Sequence, residues 1–239
     1  MSRKTMFLFS LLLLAPAPPS QAGSTGRSYV FFGGGYSSSQ TFGMPVFLEA
    51  GEPPALTADV ETGAGARLNL GYGYRVGETL RVEGEAGYRF YSVDNVRLLT
   101  FLDDYQVPPV DADVTGGEGD IRSVSLLLNA WYDTVFAAHW IVYFGGGLGL
   151  DRTALDNFAV TVTTSEPQSE RLYTINDAGW DFAYQLGIGL SYDMTAHAAL
   201  DLSYRYLVPG SAHLEDMFGN EIAAGSRSSN LQVAVRYSF

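Results

Sequence analysis

"LQVAVRYSF", residues 231–239, decides the fold of this chain. A pleated strand sends successive side chains to opposite faces. Leu231, Val233, Val235, Tyr237 and Phe239 therefore share one face, and Gln232, Ala234, Arg236 and Ser238 share the other. Strict alternation marks a strand with one apolar side. Nothing in the sequence follows Phe239 to cover that side. The expectation is that lipid covers it.

Seven more segments read the same way. Arg27–Tyr36 opens the series with "RSYVFFGGGY". Ala64–Val76 sets Ala66, Leu68, Leu70, Tyr72 and Tyr74 against Arg67, Asn69, Gly71, Gly73 and Arg75. Leu80–Tyr91 sets Leu80, Val82, Ala86, Tyr88 and Phe90 against Arg81, Glu83, Glu85 and Arg89. Ile121–Asp133, Trp140–Leu150, Trp180–Asp193 and Ala199–Leu207 follow the same period of two. Eight segments, each near the ~9–11 residues of a tilted membrane strand, predict an all-β, closed, eight-stranded antiparallel up-and-down transmembrane barrel.

The connections alternate in length. Those at 76–79, 134–139 and 193–197 are short, whereas those at 37–63, 92–120, 151–179 and 208–226 are long, polar and rich in Pro and Gly. A soluble sandwich has no reason to gather every long connection at one end. An outer-membrane barrel does, with short periplasmic turns, longer extracellular loops and both termini in the periplasm. "FAVTVTT" and "ERLYTI" in the third long connection predict a hairpin that prolongs strands five and six. Traced from a periplasmic start, Tyr72, Tyr74, Tyr132, Trp140, Tyr192, Tyr237 and Phe239 fall at the lower rim. Tyr36, Tyr88, Phe90, Phe182, Tyr184, Tyr204 and Tyr206 fall near the upper one. Two aromatic girdles suit the two interfaces of a bilayer.

Arg3 and Lys4 precede the apolar run from Met6 to Ala15, and small residues at Ser20 and Ala22 predict cleavage after residue 22. The domain reading is thus a signal peptide over 1–22 and a single barrel domain over 23–239. The formal net charge is −12, and Lys4 is the single lysine. An exported chain this acidic lacks the basic face that nucleic-acid binding needs. With no cysteine, the fold is held without disulfides.

"YVFFGGGYS" near the start, "FAYQLGIGLSYDMTAHAALDLSYRYL" near the end and the terminal "VAVRYSF" resemble the small eight-stranded outer-membrane barrels of Gram-negative bacteria. That group includes the transmembrane domain of outer membrane protein A and the opacity and surface-antigen barrels. The resemblance implies a location in the outer membrane, with outer-membrane lipid and lipopolysaccharide as surroundings. It also implies that Tyr237 and Phe239 form the signal read by the outer-membrane assembly machinery. The sequence ends with the eighth strand. A wall-anchoring role through a following peptidoglycan-binding domain is therefore not expected.

An eight-stranded barrel is just wide enough inside for side chains to fill it. The inward set comprises Arg67, Arg75, Arg81, Glu83, Glu85, Arg89, Asp133, Asp181, Asp201, Arg205 and Arg236. Both signs are present, and arginine forks pair bidentately with carboxylates. A linked charge network that plugs the lumen is expected, because an unpaired buried charge costs several kcal/mol. The function expected is structural or adhesive, through the long loops, with a host or cell-surface ligand. The alternative is a narrow porin-like channel for ions or small solutes, running through the same charges.

A surface hydrolase is the third reading. It rests on Ser211, His213, Glu215 and Asp216 in one long loop, and spacing alone does not orient a triad. No enzymatic activity and no cofactor are expected. Asp111, Asp113, Glu118 and Asp120 do not match calcium-loop spacing, so no metal site is expected. Glycine triplets at 33 and 145 do not match a phosphate loop. The apolar stretches "MPVFL" and "LLTFLDDY" in the loops are the expected contact points for a partner.

Overall fold

Alternation makes strands here, and eight of them close on themselves. The computed structural model describes residues 27–47, 50–51, 54, 56–101, 112–165, 168–225 and 227–239. Its strands are β1 (Ser28–Ser39), β2 (Phe42–Val46), β3 (Leu56–Thr62), β4 (Ala64–Val76), β5 (Leu80–Phe101), β6 (Ala112–Ala137), β7 (Trp140–Ser165), β8 (Gln168–Asp193), β9 (Ala198–Pro209), β10 (Ala212–Glu215), β11 (Glu221–Ala224) and β12 (Ser228–Ser238). The expected signal peptide lies outside the described residues.

The ring runs β1–β4–β5–β6–β7–β8–β9–β12 and returns to β1, every pair antiparallel. β1 sits between β4 and β12, with Tyr29 opposite Ser238 and Ser39 opposite Ser228, so the sheet has no edge along the wall. Burial alternates strictly along β12. Leu70, Leu128, Leu148, Leu186, Ile188 and Val233 stand outward and about half exposed, forming a continuous apolar band. Aromatic rings cluster at its lower margin: Trp140 lies 4.7 Å from Tyr192, and Tyr72 lies 6.5 Å from Phe239. At the short-turn end, Gly77 adopts φ 77°, a left-handed conformation that a side chain resists.

At the other end the described parts of the connections are largely strand. β7 and β8 run on past the ring and pair from Ser165 with Gln168, forming the predicted hairpin. Above Ser92, β5 leaves β6 and pairs with β3, which pairs in turn with β2. β10 and β11 form a further hairpin joined to β8 through an Ile175–Asp216 bridge. These extensions enclose a second hydrophobic core that includes Met44, Val60, Val96, Leu155, Phe158, Ile175, Leu214 and Ile222. Each such side chain, fully buried, contributes about 1.5–3 kcal/mol.

The expectation for "MPVFL" is thereby corrected. Met44 is 0% and Val46 3% exposed, and Phe47 is partly buried against the same core, so the described part of the stretch packs largely inward and only Pro45 and part of Phe47 keep some exposure. The physical reason is that β7 and β8 continue upward and bring Phe158 and Ile175 to meet them. The second stretch, "LLTFLDDY", lies outside the residues whose side chains are described.

Candidate functional site: the barrel lumen

Inward residues of the ring form three charged clusters stacked along the axis. Nearest the short turns, Arg81 donates from Nε to Asp133 at 2.8 Å and from Nη1 to Glu83 at 3.1 Å. Glu83 also accepts the Tyr29 hydroxyl and the Trp131 indole N–H, both at 2.7 Å. Arg75 reaches Asp133 at 3.7 Å from the mouth. Arg236 donates to Ser191 at 2.7 Å and lies 3.4 Å from Asp201. The Arg81 guanidinium is 4.7 Å from the Tyr143 ring centroid, and that of Arg236 is 5.4 Å from the Tyr29 centroid. Such contacts add attraction where water is excluded.

The middle cluster centres on Glu85, whose side chain is wholly buried. Arg67 from β4 and Arg205 from β9 each donate to one of its oxygens. Asn129 donates to Glu85 at 3.1 Å and accepts from Gln185 at 2.6 Å. Arg205 also stacks 4.8 Å from the Trp131 ring centroid. One carboxylate thus links β4, β5, β6, β8 and β9 across the bore.

In the upper cluster Arg89 pairs with Asp151 and Ser123 and donates to Ser228 at 2.8 Å. Above it, Ser37 bonds Tyr91 at 2.6 Å and Asn230 at 2.5 Å, and the hydrophobic core of the extensions begins. A small apolar group, Leu127, Ala183 and Leu207, also faces inward.

Large rings fit because glycines oppose them. Tyr29 lies over Gly73, Tyr143 over Gly189, and Trp131 between Gly145 and Gly187. The inward glycines therefore free volume in the bore for aromatic and arginine side chains.

Of the eleven charged residues read as inward, ten are buried or at the mouth and take part in these clusters. Asp181 is inward-facing but only half-buried, and its carboxylate accepts the Phe182 backbone N–H at 2.6 Å. The sequence reading did not include Asp151, because it ended that strand at Leu150; carrying the parity one step further reaches it. It also left out Tyr29, Trp131 and Tyr143. "YVFF" and "AWY" put aromatics on both faces, so type alone gave no direction.

The loop residues behind the hydrolase reading are divided. His213 pairs with Glu221 at 2.6 Å on the solvent side of the β10–β11 hairpin. Asp216 accepts the N–H groups of Phe218 and Asn220, both at 2.8 Å, and so caps the hairpin turn. Of the calcium candidates, Asp111 and the side chains of Asp113 and Glu118 lie outside the described residues, and Asp120 faces Arg122 at 3.6 Å. Tyr237 and Phe239 point outward, 53% and 59% exposed, and the Phe239 N–H donates to the Ser28 carbonyl at 3.0 Å.

Comparison with known proteins agrees with this architecture. The family model described as "Outer membrane protein beta-barrel domain" matches residues 7–239. An uncharacterized protein of Brucella abortus is 28% identical over 155 residues, covering 62% of this chain and 53% of that protein. Outer membrane protein PagN of Salmonella typhimurium is 23% identical over 129 residues, covering 51% of this chain and 52% of that protein. The match thus spans about half the length of these relatives. Among solved structures, outer membrane protein OprG from Pseudomonas aeruginosa superposes with a TM-score of 0.51 at 14% identity, over 90% of this chain and 98% of that one. This last likeness concerns the fold.

Proposed function

We propose a non-enzymatic, non-conducting surface role for this chain, which belongs to the outer membrane protein β-barrel family. In this reading the ring spans the outer membrane with its short turns and both barrel ends toward the periplasm. Residues 1–22 direct export, and Tyr237 and Phe239 engage the assembly machinery. The built-up end stands outside, where it meets lipopolysaccharide and a host or cell-surface ligand, in adhesion or in holding the envelope together.

The observation that carries the reading is the Glu85 crossing. A buried carboxylate is held by Arg67 and Arg205 from different strands, and in this reading that crossing closes the bore at mid-height. Opening it leaves buried charges unpaired, at about 3–5 kcal/mol. The hydrophobic core above covers the same axis a second time. A channel through these charges is the competing idea, and planar-bilayer recording decides between them. Purified wild-type protein is expected to give no discrete conductance steps. Reproducible steps in the wild type that change with Arg81→Ala or Glu83→Ala would replace the plug with a pore. Binding to host cells, compared between bacteria carrying the intact chain and one lacking the β10–β11 hairpin, tests the adhesive part. Equal binding by both removes that hairpin from the contact.

A further inference from the structure

One side of the outer wall departs from the apolar band. Arg122 on β6 and Arg152 on β7 both point away from the lumen. Val124 stands opposite Arg152, and Arg122 opposite Ala154, so the two arginines are diagonal neighbours on paired strands. Diagonal neighbours of this kind sit about 7–8 Å apart, within reach of long side chains. Trp180 flanks Arg152 on the far side and Tyr88 flanks Val124 on the near side. The pair therefore lies at the level of the upper aromatics. Directly below it, Leu126, Leu150 and Phe182 form the apolar wall, each about half exposed.

The two cations are held differently. Arg122 leans on Asp156 at 3.2 Å and on Asp120 at 3.6 Å, yet keeps half its side chain exposed. Arg152 is exposed and, among the described residues, has no hydrogen-bond or ion-pair partner. Both border a groove of about 530 Å³ that continues upward between Asp156, Asn176 and Asp177. In a chain of net charge −12, an unpartnered outward arginine just above a lipid-facing band is unexpected unless the surroundings supply an anion.

We propose that this groove binds the phosphorylated sugar headgroup of the outer-leaflet glycolipid, the lipid A part of lipopolysaccharide. A phosphate monoester between Arg122 and Arg152 accepts bidentate, charge-assisted hydrogen bonds from both guanidinium groups. Acyl chains then run down the wall over Leu126, Leu150 and Phe182, while Trp180 and Tyr88 lie at the ester level. The sugar's hydroxyls meet the Asp156 and Asp177 carboxylates and the Asn176 amide above. Those acceptors favour a hydroxyl-bearing phosphosugar over a simple phospholipid. The inference rests on the outer-membrane placement proposed above, and outer-membrane fractionation tests that placement separately.

Native mass spectrometry of the full chain in detergent, titrated with defined lipids, tests the site. Lipid A is expected to bind wild-type protein at least about tenfold more tightly than it binds Arg122→Gln/Arg152→Gln protein. Dephosphorylated lipid A and phosphatidylglycerol are each expected to bind the wild type at least about tenfold more weakly than lipid A does. Inorganic phosphate alone is expected not to be retained. Equal lipid A affinity in wild type and double variant overturns the site, as does indifference to removal of the phosphates. Phosphatidylglycerol matching lipid A overturns the choice of glycolipid. Heat-modifiable gel mobility shows whether the double variant is folded; if it is not, the comparison of lipids on the wild type decides alone.

Discussion

Glu85→Gln is the sharpest test of the lumen. The substitution keeps the shape of the side chain and removes its charge. Arg67, wholly buried, then loses the carboxylate it pairs with among the described residues, whereas Arg205 keeps its stack on Trp131. Removing one member of a buried ion pair costs about 3–5 kcal/mol, because the survivor stays charged and out of water. That is roughly two to four orders of magnitude in the folding equilibrium, since about 1.4 kcal/mol is tenfold. Equilibrium urea unfolding in lipid vesicles, followed by tryptophan fluorescence, reads the change as a lower midpoint at similar slope. A second variant isolates the cause. Arg67→Met/Glu85→Gln removes the stranded charge as well, and it is expected to recover much of the loss. If Glu85→Gln lies within about 1 kcal/mol of wild type, or the double variant is no better than the single one, the coupled-charge account of the lumen is wrong.

Three further outcomes follow from particular contacts. Gly189→Ala places a methyl group against the Tyr143 ring and is expected to destabilise the barrel by about 1–3 kcal/mol, measured by the same unfolding titration. Met44→Ala opens a cavity in the upper core. It is expected to cost about 2–5 kcal/mol there and to raise protease cleavage near β2 and β3, with the heat-modifiable shift of the ring unchanged. Phe239→Ala is expected to lower the folded, outer-membrane fraction in cells, by quantitative immunoblotting, while purified protein still refolds in detergent; unchanged cellular yield removes Phe239 from the assembly signal.

The ring was legible in the sequence because an apolar outward face repeats with a period of two along most of each wall strand. β4 follows its predicted bounds from Ala64 to Val76 for that reason. The upper ends were not legible. Beyond Tyr91, Ile121 and Leu150, described residues such as Val93, Val96, Leu155 and Phe158 are buried in the upper core, so apolar residues there no longer alternate simply with polar ones. Pro45 within β2 and the shifts of register in β3 and β6 blurred the pattern further. In the lumen, parity gave direction but not partners. That Glu85 takes Arg67 and Arg205, while Arg89 turns to Asp151, depends on the stagger of strands around the ring. No single segment contains that stagger.

The seam has a consequence for biogenesis. Val30 meets Tyr237, and Ser39 meets Ser228, so the earliest wall strand finds its second neighbour only when the last has been delivered. Adjacent hairpins such as β7–β8 can zip as they arrive, but circularisation waits for the finish. Until then the nascent ribbon has two open margins and a greasy exterior, a state prone to wrong partners. Long-range closure of this kind is also intrinsically slow. Shielding of both margins in transit would therefore guard the chain against mispairing until the cylinder closes.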